Sequence, residues 1–493
     1  MAERFDVIVV GSGAGGGVVA GELAERGHEV LLLEAGAHLT AADFSRWEAR
    51  ATHDLWWPFS EALPASAEGE GVTLFRGRCV GGGTTINTKV GLRAHASDYE
   101  KWFAASGLLG AEGEPFGEGD LAPHYERVEA RLGIRERHDW LPFVGNTERG
   151  FEALGASLSP VRSYTDTNCM RCGSCLQGCP TNAGKSTLNT YIHRAWALGK
   201  LELRPECEVQ RVVIEDRGSG PEASGVEYRD AAGRTHLVVA GAVVVACGTL
   251  ATPGLLLRSG VLDAAGASPS ARQIGRNLGF HPSRLVMGLF DEVQDAHRAY
   301  PITAHCMDFQ SDEAGGFVIE SATVMDPIGF ATSVCGEDGR PLWGDELVEV
   351  MDNYRRWTGL LAMVNDENNG RVELAADGSD RFTADFNARE RERISRARDF
   401  SADVLRAAGA KRVLRTDLFT THVQGSCRMG SDPARSAVDA NCESHDVRRL
   451  FVGDGSLVPR TLSVNPSLTF MALAQRLADY LAGGEHGYFA GSA

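Results

Sequence analysis

The sequence predicts a mixed α/β protein built around a Rossmann-like unit, and three observations carry that expectation. A β-branched apolar run, Phe5 to Val10, opens the chain and leads into Gly11-Ser12-Gly13-Ala14-Gly15-Gly16, a G-x-G-x-x-G pattern. A helical stretch through about Gly27 and a second apolar run, Val30 to Leu33, complete a strand–turn–helix–strand unit ending at Glu34. Apolar runs at Val243 to Ala246 and Leu450 to Val452, each followed closely by glycine, read as further buried strands.

The remaining elements follow in chain order. A Trp-rich segment (Trp47, Trp56, Trp57, Phe59) reads as a loop with a satellite hydrophobic cluster. Residues 133–167 lack periodicity. Leu201 to Ile214 and Val226 to Val245 read as strands. From Leu285 to Thr416 the pattern changes, with strand-like pieces such as Phe317 to Ile319 and a helix from Asn387 to Ala408. A helix from Ser467 to Leu481 closes the fold before Gly483. The 493 residues suit two or three domains. The expected division is a nucleotide-binding domain over 1–284 and 417–485, including a Cys-rich loop at 165–184, and a second domain over 285–416 whose sheet roofs the ligand.

Net charge is −17, which excludes the basic face of a nucleic-acid binder. Acidic charge of this kind mostly serves solubility, with a weak lean towards a polar or cationic substrate. No stretch is apolar enough to span a membrane, and no targeting segment precedes the first strand, so the expected compartment is the cytoplasm. The eleven cysteines therefore do not read as a disulfide framework.

Each residue of the glycine pattern has a physical task. Gly11 permits the tight turn, Gly13 lets a pyrophosphate approach the backbone, and Gly16 allows close helix–strand packing. Ser12, Ala14 and Gly15 present free N–H groups at a helix N-terminus, which attracts phosphate. Glu34, with Ala35 beside it, ends the second strand and can accept hydrogen bonds from ribose hydroxyls. A nicotinamide enzyme would show the same fingerprint. A flavoprotein that also used NAD(P)H would usually show a second one in mid-chain, and none is found; the glycine pattern alone leaves FAD and NAD both open, and the rest of the chain decides between them.

Three further segments carry a family resemblance. Gly77-Arg78-Cys79-Val80-Gly81-Gly82-Gly83-Thr84-Thr85-Ile86-Asn87 and the run from Gly248 to Gly260 resemble the two signatures of the glucose–methanol–choline (GMC) oxidoreductases. His422 to Gly430, Val452 to Ser456 and Ser463-Val464-Asn465-Pro466-Ser467 resemble that family's C-terminal catalytic block. Ile274 to Pro282 resembles another family loop. The resemblance implies an FAD domain of the glutathione-reductase type with an inserted antiparallel-sheet substrate domain. It implies oxidation of a CH–OH group, with hydride passing to the flavin. Ile86 stands where some relatives carry a flavin-linking His, so a non-covalent flavin is expected. The resemblance further implies cofactor contacts from Arg78, Gly82, Gly83, Asn87, Val209, Gly248, Asp454, Gly455, Asn465 and Pro466. His422 matches the catalytic His, and imidazole suits removal of a hydroxyl proton near neutral pH. Asn465 matches the second catalytic position and would hydrogen-bond the substrate oxygen. His281 reads as a loop residue near the flavin and His445 as surface. The implied partners are a small-molecule alcohol and either oxygen or an external electron acceptor.

Cys169, Cys172, Cys175 and Cys179 follow C-x2-C-x2-C-x3-C-P, the spacing of bacterial ferredoxin ligands. Three of these thiolates would hold a three-iron cluster, or a four-iron cluster with a remote ligand; some GMC dehydrogenases carry a three-iron cluster on a similar loop. The other readings are a metal-free structural loop, a loop that has lost its cluster, or zinc, which fits the even spacing poorly. Two rival functions stay open at this point. One is a flavin-dependent thiol–disulfide oxidoreductase using these cysteines. The other is a non-catalytic flavin and iron–sulfur electron-transfer protein.

Overall fold

The computed structural model describes residues 3–64, 70–216, 218, 220–298, 301–322, 326–484 and 487–489. Met1 and Ala2 of the expected lead-in, and positions 299–300 and 323–325 of the expected second domain, lie outside the described residues.

Strand β1 (Arg4–Val10), helix α1 (Gly16–Glu25) and strand β2 (Val30–Leu33) form the expected N-terminal unit. β2 is Val-Leu-Leu-Leu and every residue is buried. A parallel strand covered on both faces reads as a continuous apolar run, and this one does. β3 (Leu201–Arg204) joins beside β2. β4 (Glu208–Asp216), β5 (Pro221–Arg229) and β6 (Thr235–Val245) form an antiparallel meander. The second half of β6 then runs parallel to β1, with Val7 opposite Ala242 and Val10 opposite Val245. The order is β3-β2-β1-β6-β5-β4, and helix α2 (Ala251–Arg258) follows β6.

A second sheet has twelve strands. Its centre is β7 (Ser283–Leu289), β8 (Ile302–Cys306), β9 (Phe317–Ala322) and β10 (Trp357–Val364), paired antiparallel in the order β7-β10-β9-β8. Helix α3 (Ala388–Ala407) covers it, burying Ala397, Val404 and Leu405 against Val286, Ile319 and Leu360. Asn387 caps α3: its side chain accepts from the Glu390 backbone, and the Glu390 carboxylate accepts from the Asn387 backbone at 2.7 Å. This reciprocal pairing satisfies two of the helix's free N–H groups. Strand β11 (Arg412–Thr416) pairs with β7. The sheet also recruits Ser60–Pro64, Val72–Leu74, Ser159–Pro160 and Phe419–Thr420, all outside 285–416. These pairings depend on distant chain segments meeting, which local pattern does not record.

The chain then returns to the first sheet. β12 (Leu450–Val452) pairs parallel with β6, and helix α4 (Ser467–Ala482) buries Leu468, Met471, Leu477 and Leu481 beside α1. Two expectations are corrected. Residues 133–167 contain a helix, Pro142–Ala153, and the Trp-rich segment contains the helix Glu48–Leu55 and leads into the strand Ser60–Pro64. Among the described residues no helix is long and apolar enough to cross a membrane.

Candidate functional site

The C-terminal ends of β1, β2 and β6, at Val10, Leu33 and Ala246, open on one cleft of about 420 Å³. Ligands of parallel α/β sheets bind at this edge, because helix N-termini converge there. Gly11, Ser12, Gly13, Ala14 and Gly15 line the cleft, with Glu34 and Ala35 at the end of β2 and Val209 on β4. Gly82, Gly83 and Asn87 line another wall. Gly248, Asp454, Gly455, Asn465, Pro466 and His422 complete it.

Gly16 and Arg78 stand outside this lining. A Cβ on Gly16 would fall 1.9 Å from the Gly11 carbonyl oxygen, so Gly16 serves the close approach of α1 to the turn. Arg78 is exposed, with its guanidinium 4.5 Å from the Trp57 ring centre. Gly11 has φ +95°, a left-handed conformation that costs other residues energy. Gly13 differs from both: nothing lies within 4 Å of an added Cβ, although the residue lines the cleft. A side chain there would occupy ligand space.

Glu34 accepts from the Ser12 backbone at 3.0 Å, the Ser12 hydroxyl at 2.6 Å and the Gly36 backbone at 2.8 Å. A carboxylate offers about four acceptor positions, so one remains for a ribose hydroxyl. Burial pushes the Glu34 carboxyl above its ordinary value, while these hydrogen bonds and Arg78 oppose the shift. Asp454 is fully committed to the protein. Its carboxylate accepts from the Ser456 backbone at 2.8 Å, the Ser456 hydroxyl at 2.6 Å, the Gly248 backbone at 2.8 Å and the Thr252 hydroxyl at 2.5 Å. It therefore ties the turn after β6 to the turn after β12, and what this part of the chain offers the cleft is backbone.

His422 follows the short strand Phe419–Thr420, and its backbone N–H donates to the Thr420 hydroxyl at 2.9 Å. Its ring Nδ1 is buried without a hydrogen-bond partner. Burial pushes the imidazole down to about 4, because a cation would lose its hydration there. His422 is thus neutral at pH 7. Asn465 lies just before α4, 4 % exposed, with an unpartnered Oδ1. His281 is fully buried, its ring 5.3 Å from that of His422, and does not line the cleft. His445 is half-buried and bonded to the Ser436 hydroxyl at 2.9 Å, so the surface reading is corrected. Asn87 donates to the Tyr164 hydroxyl, which in turn lies 3.2 Å from the Ser467 hydroxyl.

Residues beyond those singled out from sequence also build the site. Trp56, Trp57, Phe75 and Arg76 line the cleft, and the Arg76 guanidinium stands 5.1 Å from the Trp57 ring centre. The expected satellite cluster exists, since Trp56 also packs on Ala51, Leu55, Cys79 and Ile86, but it forms part of the cleft wall. Glu320 on β9 lies 3.5 Å from the Asn465 amide nitrogen. A carboxylate inside the buried run Phe317–Ala322 was the available signal.

The Cys-rich loop abuts this region through Leu176, which lines the cleft. Behind it Lys89 is buried and donates to the carbonyl oxygens of Thr84 and, at 3.3 Å, Thr85. Burial lowers this ammonium to about 8, and the nearby thiols Cys175 and Cys179 oppose that shift. Among the described residues no group of three or more His, Cys, Asp or Glu side chains is placed to hold a metal ion. Cys169, Cys172 and Cys179 nonetheless lie near enough to Cys175 for their charges to act on its thiol. The Cys172 carbonyl accepts from Arg46, and the Cys179 thiol accepts from the Gly184 backbone at 3.2 Å.

These features fit FAD: an open approach at Gly13, N–H groups at the start of α1, and a carboxylate with one free acceptor position at the end of β2. Fold and cleft together define a dinucleotide-binding oxidoreductase. GMC oxidoreductase family models match residues 5–283 and 363–474. The chain belongs to the GMC oxidoreductase family, FAD-dependent enzymes acting on CH–OH groups.

Among relatives, a long-chain-alcohol oxidase of Arabidopsis thaliana is 28% identical over 96% of this chain and 66% of its own length. This chain thus spans just under two thirds of that plant protein. Paromamine 6'-oxidase of Streptomyces fradiae is 28% identical over 97% of this chain and 91% of its own. Among solved structures, pyridoxine 4-oxidase from "Mesorbium loti" superposes with a TM-score of 0.73 at 21% identity, covering 97% of this chain and 99% of that one. At that identity the likeness speaks to fold alone.

Proposed function

We propose that this chain oxidises a primary or secondary alcohol to a carbonyl compound, with His422 as the base and Asn465 holding the substrate oxygen. One observation carries the reading. A neutral imidazole and a carboxamide, each with a buried unpartnered atom, line the same cleft as the glycine turn of β1. Unpartnered buried polar atoms are costly unless a ligand satisfies them.

The chemistry follows from the residues. An alcohol is a very weak acid, so its hydroxyl proton needs an acceptor near the operating pH. His422 is neutral at pH 7, because burial holds it far below its ordinary value. Its ring can take that proton. The Asn465 amide can bond the same oxygen as negative charge develops there. Glu34, Ser12 and the start of α1 would hold the ribose and phosphates. Asp454 would keep the two glycine turns in register. FAD, when bound, supplies the hydride acceptor. Trp56, Trp57, Phe75 and Phe470 would exclude water from the cleft.

The substrate class favoured is a polar alcohol of the sugar or amino-sugar type, in keeping with the acidic chain and the paromamine-oxidising relative. The test is anaerobic mixing of the holoenzyme with paromamine, pyridoxine and dodecan-1-ol, followed by flavin absorbance. Bleaching by paromamine in preference to dodecan-1-ol supports the substrate class. Preference for dodecan-1-ol corrects it. Bleaching by NAD(P)H and by none of a broad set of alcohols refutes the alcohol reading and revives the thiol–disulfide one.

A further inference from the structure

Glu320 sits in the middle of β9, where every other residue is also buried. Its own exposure is 1 %. One carboxyl oxygen, Oε1, has no partner among the described residues. The other, Oε2, lies 3.5 Å from Asn465 Nδ2, the long end of hydrogen-bonding range. Asn465 Oδ1 is unpartnered as well. Two adjacent side chains thus leave two buried acceptors unused while sharing one weak contact.

Among the described residues no cation compensates the carboxyl. On β8 the residue opposite Glu320 is His305, and on β10 it is Leu361. His305 is neutral, held down at about 4 by burial. The influences on Glu320 are burial and the Asn465 hydrogen bond, with no charged side chain among them. Burial pushes its carboxyl up to about 8, so Glu320 carries its proton at pH 7. A protonated carboxyl has an O–H to donate, and an amide nitrogen cannot accept it. The oxygen and nitrogen of an amide have the same shape, so a half-turn of the Asn465 amide places Oδ1 against Glu320. The same half-turn frees Nδ2, a donor, for the cleft.

We propose that Glu320 is a positioning residue for Asn465: it donates a hydrogen bond to the amide oxygen and thereby turns the amide N–H groups towards the reacting oxygen of the substrate. This rests on the role given to Asn465 above. The orientation matters because charge developing on that oxygen needs donors. An ionised Glu320 would instead accept from Nδ2 and leave Oδ1 facing the oxygen, acceptor against acceptor. The carboxyl proton therefore sets which face of the amide the substrate meets.

Two measurements on the holoenzyme test this. Infrared difference spectroscopy without substrate should show the carbonyl band of a protonated carboxylic acid at pH 6. That band should disappear with a midpoint near 8, be missing in Glu320→Gln, and shift in Asn465→Ala. The second measurement is the rate of flavin reduction by whichever of the three alcohols above bleaches the wild type. It should fall by about 10²-fold as pH rises from 7 to 10, the cost of losing one preorganised donor. Glu320→Gln, whose amide keeps a donor, should hold the pH 7 wild-type rate within about threefold and stay flat across that range. A wild type without the band, a band unmoved by Asn465→Ala, or an unchanged alkaline fall in Glu320→Gln overturns the proposal. If the band titrates and shifts as stated but no alcohol bleaches the flavin, the alcohol reading fails and the Glu320–Asn465 pairing stands.

Discussion

Gly13→Val and Gly16→Ala separate ligand space from packing within one turn. At Gly13 an added Cβ meets no atom within 4 Å, and the backbone is not left-handed. A valine should therefore leave the apoprotein folded. Removing glycine's freedom from the unfolded chain should even raise stability by about 0.4–1 kcal/mol. The same side chain projects into the cleft where a pyrophosphate must approach the backbone. A loss of at least about 100-fold in FAD affinity, about 2.8 kcal/mol, is expected. At Gly16 the situation reverses. Its added Cβ would lie 1.9 Å from the Gly11 carbonyl oxygen, where ordinary contact begins at 3.4 Å, so α1 must retreat by about 1.5 Å from the turn. Overpacking of this kind costs about 1–3 kcal/mol or more. The assay is thermal unfolding by circular dichroism with and without added FAD, alongside flavin fluorescence titration. Gly13→Val should match or exceed the wild-type apoprotein's Tm and gain none from FAD. Gly16→Ala should melt lower in both states. Gly13→Val purified with full flavin occupancy would refute the assignment of Gly13 to ligand approach.

His422→Ala should lower the rate of flavin reduction by about 10²–10⁴-fold with flavin content unchanged; near-normal reduction would remove His422 from its role. Because His422 titrates at about 4, the acid limb of kcat/KM should fall well below the 6.5 of a free imidazole. Stability follows the same sign: the folded-state pKa is depressed, so the neutral ring is accommodated fully above 6.5, and up to about 3 kcal/mol is lost as pH falls from 6.5 through 4. Chemical denaturation at pH 7 and pH 4.5 should show that loss shrink in His422→Gln. Asp454→Ala strands donors from Gly248, Thr252 and Ser456 and should cost about 3–5 kcal/mol together with flavin retention, whereas Arg78→Ala, at an exposed position, should change stability by less than about 1 kcal/mol. Urea midpoints distinguish the two.

What the sequence by itself determined is local or motif-bound. β2 was readable because a strand buried on both faces is a continuous apolar run. The helix after Asn387 was readable because Asn387 and Glu390 spell their own cap. The glycine turn was readable because its spacing answers one backbone problem. The tertiary structure alone decided what depends on non-local neighbours. The spacing separates the tasks of Gly13 and Gly16, and the structure supplies the neighbours behind them: open cleft beside Gly13 and the Gly11 carbonyl oxygen against Gly16. Asp454 lines the cleft, and its carboxylate is held both by Ser456 beside it and by Gly248 and Thr252, about 200 residues away in the chain. Trp57 read as peripheral until Val72–Leu74 and Phe419–Thr420 paired and drew its segment to the cleft wall. Glu320 carried no motif, because its significance is a desolvated carboxyl meeting an amide from 145 positions away, and burial by remote chain is the quantity that a linear pattern does not encode.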